Sequence, residues 1–335
     1  MPRNDNITMK LTTFQSKKDQ KIYFGVLIHE IIVSFDVLQQ KCGVQYKELT
    51  DVYSYLNALP ESETKAKELY EYGLKHAVEE GLHLDDVCFL SPIPKPPMLL
   101  DFTLSPRHLK NSLNTLLKHE FTPLKRALIN FIAQGKLKKQ THRNSFPYYK
   151  GNHVEIIGDG EETHWPDYTA YLDFEPELAF VVGNEQVPIA GYLIFNDWSA
   201  RDIQWPELSQ VSLTRTKDFT KSNGLGPFLV TPDEVGNPLD LKVRASVEER
   251  IYWEGTTSEY AHHPEEVVKY MKTIFSPQVG SVIGMGTVPG CCGLDNDEWI
   301  KPGENIKISI EKLGVLHQKV PKKKVNYDLS RWKKR

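Results

Sequence analysis

The sequence predicts a β-rich α+β fold with a small N-terminal domain and a larger β-rich domain after it. Beyond about residue 150, most segments are short β-branched and aromatic runs separated by glycine and proline. Few helical patterns interrupt them, which argues against alternating βαβ units. With 335 residues, of which 40% are hydrophobic, the chain is long enough for one large and one smaller domain.

The first 95 residues have the pattern of a small domain containing β-structure and a helix. KLTTF, KIYFGVLI and EIIVSFDVL are runs of β-branched and aromatic residues joined at His29 and Glu30, which predicts a hairpin or meander. Apolar residues then recur at helical spacing from Ser62 until Gly81 ends the pattern. Prolines in SPIPKPP, residues 91–97, disfavour both helix and central strand. We therefore predict domains at 1–95 and 96–330.

Two helices and a series of strands are predicted after this boundary. Ser105-Pro106 and Thr122-Pro123 each combine an N-cap residue with proline at the first helical position. The first helix carries the apolar set Leu109, Leu113 and Leu116, and the second is expected to end near Gly135. The strand-like segments that follow are HVEIIG, YLDFEPELAFVVG, VPIAGYLIFND, PFLVTP, LKVRASVEERIYWEG, GSVIGMGT and NIKISIEKLG.

Composition excludes several classes of protein. The 41 basic and 44 acidic residues give a net charge of −3, so no overall cationic field favours nucleic acid. The longest apolar stretch, 24–37, is too short and too polar to cross a bilayer. The N-terminal residues lack the apolar segment of a signal peptide, so we expect a cytoplasmic protein.

The cysteines show no zinc-binding spacing. Reduced thiols are expected at Cys42, Cys88, Cys291 and Cys292.

An alternating acidic strand is the first candidate for chemistry. In YLDFEPELAFVVG, Asp173, Glu175 and Glu177 fall on one face of the strand. Residues two apart lie about 6.6–7 Å from each other along a strand, so two glutamates can converge on one ion. In an apolar sheet such a pair would be protonated or would need a cation. An exposed acidic strand face would give the same pattern, and the motif alone favours that interpretation.

A second acidic site follows the next apolar strand. In YLIFNDWSARDIQ, Asp197 ends the strand, and Arg201 and Gln204 follow within a few residues. Arg201 and Asp202 could equally form an ion pair at the start of a helix. If Asp197 joins Glu175 and Glu177, the all-oxygen donor set suits Mg²⁺, Mn²⁺ or Ca²⁺ and not zinc.

Taken together, these motifs resemble the fumarylacetoacetate hydrolase family. The similarity covers residues 99 to about 315, and its most specific part is NDWSARDIQ. It includes the spacing of Asp101 and His108 in DFTLSPRH. The other matching segments are LDFEPELAFVVG, YYKGN, TKDF, LGPFLVTP and GMGTVPG.

The resemblance implies a role for particular residues. The metal ligands would be Asp101, Glu175, Glu177 and Asp197. His108 would be the base that activates water, although a histidine at this place is more often a helix-start or packing residue. Glu298 is a candidate for the acidic partner of His108. Substrate contacts would come from Tyr149, Arg201, Gln204, Lys217 and Thr287, with Lys217 also beside the metal.

The implied protein is a metal-dependent hydrolase with a mixed β-roll catalytic domain. It would cleave a C–C bond in a 1,3-diketo acid of the fumarylacetoacetate or acylpyruvate type, through a metal-bound enolate. The resemblance further implies Mg²⁺ as cofactor, with Mn²⁺ or Ca²⁺ as alternatives, a small oxo-acid substrate, a homodimer and a role in aromatic amino acid catabolism. Decarboxylation, hydration or isomerisation of 2-oxo acids remains an alternative within the family. A non-enzymatic ligand-binding protein is disfavoured because all four metal carboxylates are present.

Overall fold

The structure of the protein, a computed structural model, describes residues 8–76, 80–129 and 146–332. The strands are β1 (Lys10–Ser16), β2 (Ile22–Ile28), β3 (Ile31–Ser34), β4 (Leu82–His83), β5 (Val87–Phe89), β6 (Leu99–Phe102), β7 (Tyr148–Lys150), β8 (Ile156–Ile157), β9 (Leu172–Asp173), β10 (Pro176–Val182), β11 (Ile189–Asp197), β12 (Ser199–Ala200), β13 (Asn223–Val230), β14 (Lys242–Val247), β15 (Ile251–Thr256), β16 (Val282–Thr287), β17 (Asn305–Ile310) and β18 (Gly314–Lys319). The α-helices are α1 (Phe35–Cys42), α2 (Val52–Asn57), α3 (Glu61–His76), α4 (Pro106–Glu120), α5 (Gln204–Ser209), α6 (Thr214–Lys217), α7 (Pro232–Val235), α8 (Pro264–Lys272) and α9 (Gly293–Asn296).

A mixed sheet of 12 strands organises the molecule and confirms the predicted β-rich α+β fold. Its order is β4-β3-β2-β1-β13-β11-β10-β16-β6-β7, with β5 paired to β1 and β8 paired to β13. Most neighbours are antiparallel, but β16 runs parallel to β6, and β13 runs parallel to β8. A second sheet has four antiparallel strands in the order β15-β14-β17-β18.

The central strands of the large sheet are buried on both faces. Along β10, Leu178 and Phe180 point into one hydrophobic core, while Ala179 and Val181 point into another. This alternation follows from the two-residue repeat of a strand. It explains why β10 and β11 are apolar along most of their length instead of alternating with polar residues.

The N-terminal strands continue the same large sheet. β1 pairs with β13 through Lys10 opposite Val230 and Leu11 opposite Leu229. The meander prediction is confirmed for β1, β2 and β3, which pair in sequence. The segment 91–97 contains neither helix nor strand, as its prolines predict. The domain boundary near residue 95 stays a prediction.

One strand prediction is corrected at its C-terminal end. The run EIIVSFDVL is predicted to belong to the hairpin or meander, but β3 ends at Ser34 and α1 begins at Phe35. The Ser34 side chain accepts a hydrogen bond from the Val37 backbone N–H at 3.3 Å, which caps the helix. Gly43 then ends α1 in the left-handed conformation, with φ of 67°. Capping therefore outweighs the β propensity of the run.

The predicted helix starts agree with the structure. The helix predicted from Ser62 is α3, which starts at Glu61. In α4 the Ser105 side chain caps the His108 backbone N–H, and Pro106 occupies the first turn. Residues 123–129 are helical after Thr122, and the predicted end of this helix near Gly135 lies outside the described residues. The first helix, α3, is described as far as His76, and Gly81 is not helical; residues 77–79 lie outside the described residues.

The described part of the chain contains no helix long and apolar enough to span a membrane. Its four cysteines are free, in agreement with the expected reduced thiols.

Candidate metal and catalytic site

Three carboxylates meet because they lie on closely spaced strands of the large sheet. Asp197 ends β11, Glu177 lies on β10, and Asp101 lies on β6. β10 pairs with both β11 and β16, and β16 pairs in turn with β6. One oxygen from each of the three residues lies within 4.8 Å of the other two. Asp101 is at least 76 positions from the other two residues in the sequence, so it is the order of the strands that brings the three together.

Gly284 makes room for this meeting on the intervening strand. It lies opposite Asp101 in the pairing of β16 with β6. A Cβ atom at this position would lie 2.7 Å from Glu177 Oε2 and 3.0 Å from Asp101 Oδ1. Because Gly284 has no side chain, this position of β16 leaves the space that the carboxylates occupy.

The electrostatics of the three carboxylates favour a bound cation. Burial raises the pKa of Asp101 to about 8, and the nearby Asp197 adds to the effect. Burial and the neighbouring acids Asp101 and Asp197 raise the pKa of Glu177 well above its usual value, and burial raises the pKa of Asp197. Asp101 Oδ1 and Asp197 Oδ1 are buried and have no hydrogen-bond partner among the described residues. Buried oxygens that lack donors and belong only to carboxylates fit a hard divalent ion such as Mg²⁺ or Mn²⁺.

Lys217 and Tyr149 surround Asp197. The Lys217 ammonium contacts Asp197 directly, and it also lies 2.6 Å from Ser199 Oγ. The Tyr149 hydroxyl donates to Asp197 Oδ2 at 2.6 Å. Tyr149 is carried to this place by β7, where it pairs with Asp101 on β6. The structure thus brings both predicted residues beside the carboxylates.

Glu175 lies next to the three carboxylates but faces cations instead of joining them. Its oxygens lie 2.6 Å from Arg201 Nη2, 2.5 Å from Lys217 Nζ and 3.3 Å from His108 Nε2. Burial alone would raise the pKa of Glu175, but Arg201 and then Lys217 outweigh it and hold the pKa well below its usual value. Glu175 is therefore a charged link between the carboxylate group and His108, and its role as a metal ligand stays a prediction.

His108 forms a dyad with Asp295. His108 Nδ1 lies 2.8 Å from Asp295 Oδ1, and the other ring nitrogen, Nε2, faces Glu175. Asp295 is itself fixed, since its Oδ2 accepts a hydrogen bond from the Gly290 backbone N–H at 2.7 Å. Burial disfavours the charged imidazole, but Asp295 outweighs that effect, and the pKa of His108 is raised to about 9. A carboxylate bound to one ring nitrogen orients the other for proton transfer.

The candidate Glu298 is not the acidic partner of His108 in the structure, where Asp295 takes that place. Glu298 is a half-exposed residue 3.6 Å from Arg250. Asp295, Asp297 and Glu298 lie within four positions of the sequence, so spacing alone could not select among them. The choice depends on α9, which presents Asp295 to α4.

Arg201 also differs from its expected place. It is fully buried, with Nη2 at 2.8 Å from Asp173 Oδ2 and at 2.6 Å from Glu175. It does not line the cavity described below. The guanidinium forms ion pairs with two buried carboxylates, so Arg201 contacts Glu175 and does not line the cavity.

Asp173 is a residue whose role the sequence did not reveal. It accepts hydrogen bonds from the backbone N–H groups of Gly293 and Leu294 at 2.8 and 2.9 Å. These residues begin α9, so Asp173 and Arg201 connect the acidic strand to the helix that carries Asp295. The alternation in YLDFEPEL places Asp173 on the same face as Glu175 and Glu177. Its hydrogen bonds to Gly293 and Leu294 depend on the packing of α9, which the alternation does not indicate.

A cavity of about 340 Å³ opens over the site. Gln204 and Thr287, both predicted to contact substrate, line it. Gln204 Oε1 accepts a hydrogen bond from Arg201 at 3.1 Å, which leaves the Gln204 amide nitrogen available to donate into the cavity. The Thr287 hydroxyl lies 3.4 Å from Glu177 Oε1. The other lining residues include Asp101, His108, Tyr149, Glu175, Glu177 and Lys217.

Residues 126–321 match the family model described as fumarylacetoacetate (FAA) hydrolase C-terminal. The match spans more than half of the chain, which therefore belongs to the fumarylacetoacetate hydrolase family. Asp101 and His108 precede the matched segment, but β6 and α4 bring them to the same cavity as Glu177 and Lys217.

Curated relatives share only part of this chain. An uncharacterized protein of Staphylococcus haemolyticus is 31% identical over 170 residues, which cover 47% of this chain and 56% of the relative. The chain thus spans little more than half the length of the curated relatives it matches.

Solved structures share the fold across nearly the whole chain. A probable 2-hydroxyhepta-2,4-diene-1,7-dioate isomerase from Mycobacterium abscessus is 20% identical with a TM-score of 0.66. A maleylpyruvate hydrolase from Sphingobium sp. SYK-6, in complex with manganese(II) and pyruvate, is 17% identical with a TM-score of 0.65. A 2-keto-3-deoxy-D-arabinonate dehydratase, complexed with magnesium and 2,5-dioxopentanoate, is 21% identical with a TM-score of 0.62. Each alignment covers 94% of this chain and 100% of the other. The same fold therefore serves isomerases, hydrolases and dehydratases.

Proposed function

We propose that this protein is a metal-dependent hydrolase that cleaves a C–C bond in a 1,3-diketo acid of the acylpyruvate type. The observation that carries the proposal is the His108–Asp295 dyad, whose histidine lines the same cavity as Asp101 and Glu177 of the group of three buried carboxylates. Hydrolysis requires both a base for water and a site that binds the oxo-acid end of the substrate. Isomerisation or decarboxylation of an oxo acid does not need a base placed to activate water.

A divalent cation held by Asp101, Glu177 and Asp197, with Glu175 beside them, would supply Lewis-acid polarisation of the substrate's oxygens. Magnesium and manganese are the proposed ions, because the donors are all oxygens. The proposed substrate is a small oxo acid, and the two carbonyl groups of its diketone are the reacting groups.

The residues of the chain divide the reaction between them. His108 acts in its neutral form, in which Nε2 takes a proton from water. The water oxygen attacks the carbonyl remote from the carboxylate, and Asp295 stabilises the imidazolium that forms. The amide of Gln204 and the ammonium of Lys217 are donors that can stabilise the resulting alkoxide. When the C–C bond breaks, its electron pair passes to the carbon between the carbonyls. His108 returns the proton to that carbon, so one water molecule and one diketo acid give a carboxylic acid and a 2-oxo acid.

Product analysis tests this proposal. The protein is incubated with acylpyruvates, fumarylacetoacetate and oxaloacetate in the presence of Mg²⁺ or Mn²⁺, and products are identified as well as rates. Two organic acids from a diketo acid support the hydrolase, whereas carbon dioxide from oxaloacetate alone indicates a decarboxylase. Turnover to an isomer or a dehydrated product indicates the other reactions of the family. His108→Ala is expected to abolish hydrolysis while Mn²⁺ still binds, and undiminished hydrolysis by this variant would refute the assignment of the base.

A further inference from the structure

The cavity has a polar end and an apolar wall. Its charged lining residues belong to one connected group, in which His108 and Lys217 both contact Glu175. Asp101 and Glu177 belong to the adjoining carboxylate group. The rest of the lining includes a set of large hydrophobic side chains: Leu109, Leu113, Leu116, Trp205, Leu208 and Leu213.

Helix α4 supplies half of the apolar wall. Leu109, Leu113 and Leu116 are spaced four and three residues apart, so they form one stripe on the helix. His108 and Ser112 lie beside this stripe, and their side chains are in contact with Asp295. The same helix therefore presents the base and, next to it, a hydrocarbon surface.

Helix α5 and the segment after it supply the other half. Trp205 and Leu208 are three residues apart on α5, and Leu213 precedes α6. Leu208 is 43% exposed, which places it at the rim of the cavity. An apolar wall that continues to the rim can cover a hydrocarbon chain as it extends away from the reacting carbonyl.

Among the described residues, the cations at the cavity that could receive a second carboxylate are already engaged or lie outside its lining. Within the described part of the lining, the side chains that can carry a positive charge are His108 and Lys217, and both are paired with acids. Arg201 lies outside the lining and is paired with Asp173 and Glu175. A carboxylate placed against the leucines would lose its hydration without gaining a partner, which is strongly unfavourable.

Building on the proposed function, we infer that the part of the substrate remote from its oxo-acid end is uncharged and apolar. The preferred substrates are acylpyruvates with a hydrocarbon tail, and dioic acids of the same length are discriminated against. The specificity-determining residues are the six of the apolar wall, with Leu113 and Leu208 as the positions to test.

The test compares two ligands that differ only at the end of the tail. One is an acylpyruvate with a straight saturated tail, and the other carries a carboxylate at the end of a tail of the same length. Binding to the Mn²⁺-loaded protein is measured by calorimetry, and cleavage is measured by product formation. The hydrocarbon ligand is expected to bind and react about 10- to 100-fold better, since pocket contacts of this kind discriminate on that scale. Equal or better binding of the dioic ligand, or no binding of either ligand, would overturn the inference.

Matched variants test the wall itself. Leu113→Arg is expected to shift the ratio of the two affinities at least about 10-fold toward the dioic ligand, because it adds a partner for the carboxylate. Leu113→Gln, which is polar but uncharged, should weaken the hydrocarbon ligand without a comparable gain for the dioic ligand. Leu208→Arg repeats the test at the rim, where a charged side chain is easier to accommodate if Leu113→Arg does not fold. Leu84→Arg adds the same charge at an exposed position of the N-terminal segment and should leave the ratio unchanged. An unchanged ratio in both arginine variants of the wall would show that the wall does not set specificity.

Binding and cleavage separate this inference from the proposed function. Tight binding of the hydrocarbon ligand without C–C cleavage would refute the hydrolase while supporting the apolar wall. Cleavage of both ligands with equal efficiency would support the hydrolase and refute the specificity.

Discussion

Asp295 Oδ1 lies 2.8 Å from His108 Nδ1, although the two residues are 187 positions apart in the chain. The pair joins the first turn of α4 to α9. This contact fixes the orientation of a histidine near the start of a helix, and the second ring nitrogen, Nε2, faces Glu175. In the proposed function this histidine is the base.

Asp295→Asn tests the dyad. The variant keeps the size of the side chain but cannot stabilise an imidazolium as a carboxylate does, so kcat is expected to fall about 100- to 10,000-fold. Mn²⁺ affinity should be unchanged, because Asp295 does not belong to the carboxylate group. Steady-state kinetics and Mn²⁺ titration check these outcomes. Glu298→Gln is the control and should retain the kcat of the original protein; a loss of activity there instead would restore Glu298 as the partner.

Asp101→Asn tests the metal site. Removing one of three converging carboxylates should raise the Kd for Mn²⁺ by at least about 10-fold. Mutating a residue that only hydrogen-bonds to a metal ligand already lowers metal affinity by about 10-fold or more. In the original protein, saturating Mn²⁺ should raise the Tm relative to protein treated with a chelator, because the ion binds the folded state. The variant should lose most of that increase. If Mn²⁺ stabilises both proteins equally, the site lies elsewhere.

Gly284→Ala tests the space between the carboxylates. The added methyl group would lie 2.7 Å from Glu177 Oε2 and 2.9 Å from Phe195 Cδ1, so neighbouring groups must move. Overpacking of this kind typically destabilises by about 1–3 kcal/mol. Denaturant unfolding should show that loss, and titration should show weaker Mn²⁺ binding. Retention of full metal affinity would mean that the added methyl group does not displace Glu177 from the site.

Arg201→Gln tests the buried ion pairs behind the site. Arg201 lies between Asp173 and Glu175 with no exposed surface, so its loss leaves two buried acids without their cation. We expect a loss of about 3–5 kcal/mol in the free energy of unfolding. Arg250→Gln removes a pairing at the surface and should cost less than about 1 kcal/mol. Similar losses in the two variants would contradict the central role of Arg201.

Asp297→Asn tests a second connection between α4 and α9. Asp297 contacts Lys118 and lies 2.6 Å from His119 Nε2. Burial opposes ionisation, but the two partners outweigh it and lower the pKa of Asp297 below its ordinary 3.8. A carboxyl with a lowered pKa stabilises the fold above its unfolded pKa and loses that contribution as the pH falls through the folded value.

The Asp297→Asn variant should therefore be less stable than the original protein at pH 7. The difference in the free energy of unfolding should shrink as the pH falls below about 4. Denaturant unfolding across this range measures it. A difference that stays constant with pH would show that the charge of Asp297 is not involved.

Local patterns predicted much of the fold and of the site. The capped start of α4, its leucine stripe and the strands around Glu177 and Asp197 follow from short-range rules of capping and periodicity. The family resemblance pointed to Asp101, Tyr149 and Lys217, which the structure brings beside Asp197. The homodimer and the cytoplasmic location stay predictions.

The sequence by itself determined the meander β1–β3, the starts of α3 and α4, and the strands that carry Glu177 and Asp197, because backbone periodicity and capping act over a few residues. Only the tertiary structure decided that Asp295 and not Glu298 contacts His108, and that Arg201 faces Asp173 and Glu175 instead of the cavity. These choices depend on strand order and on the packing of α9 against α4. Such contacts join residues far apart in the chain, and no local pattern records which of several nearby acids or bases will find a partner.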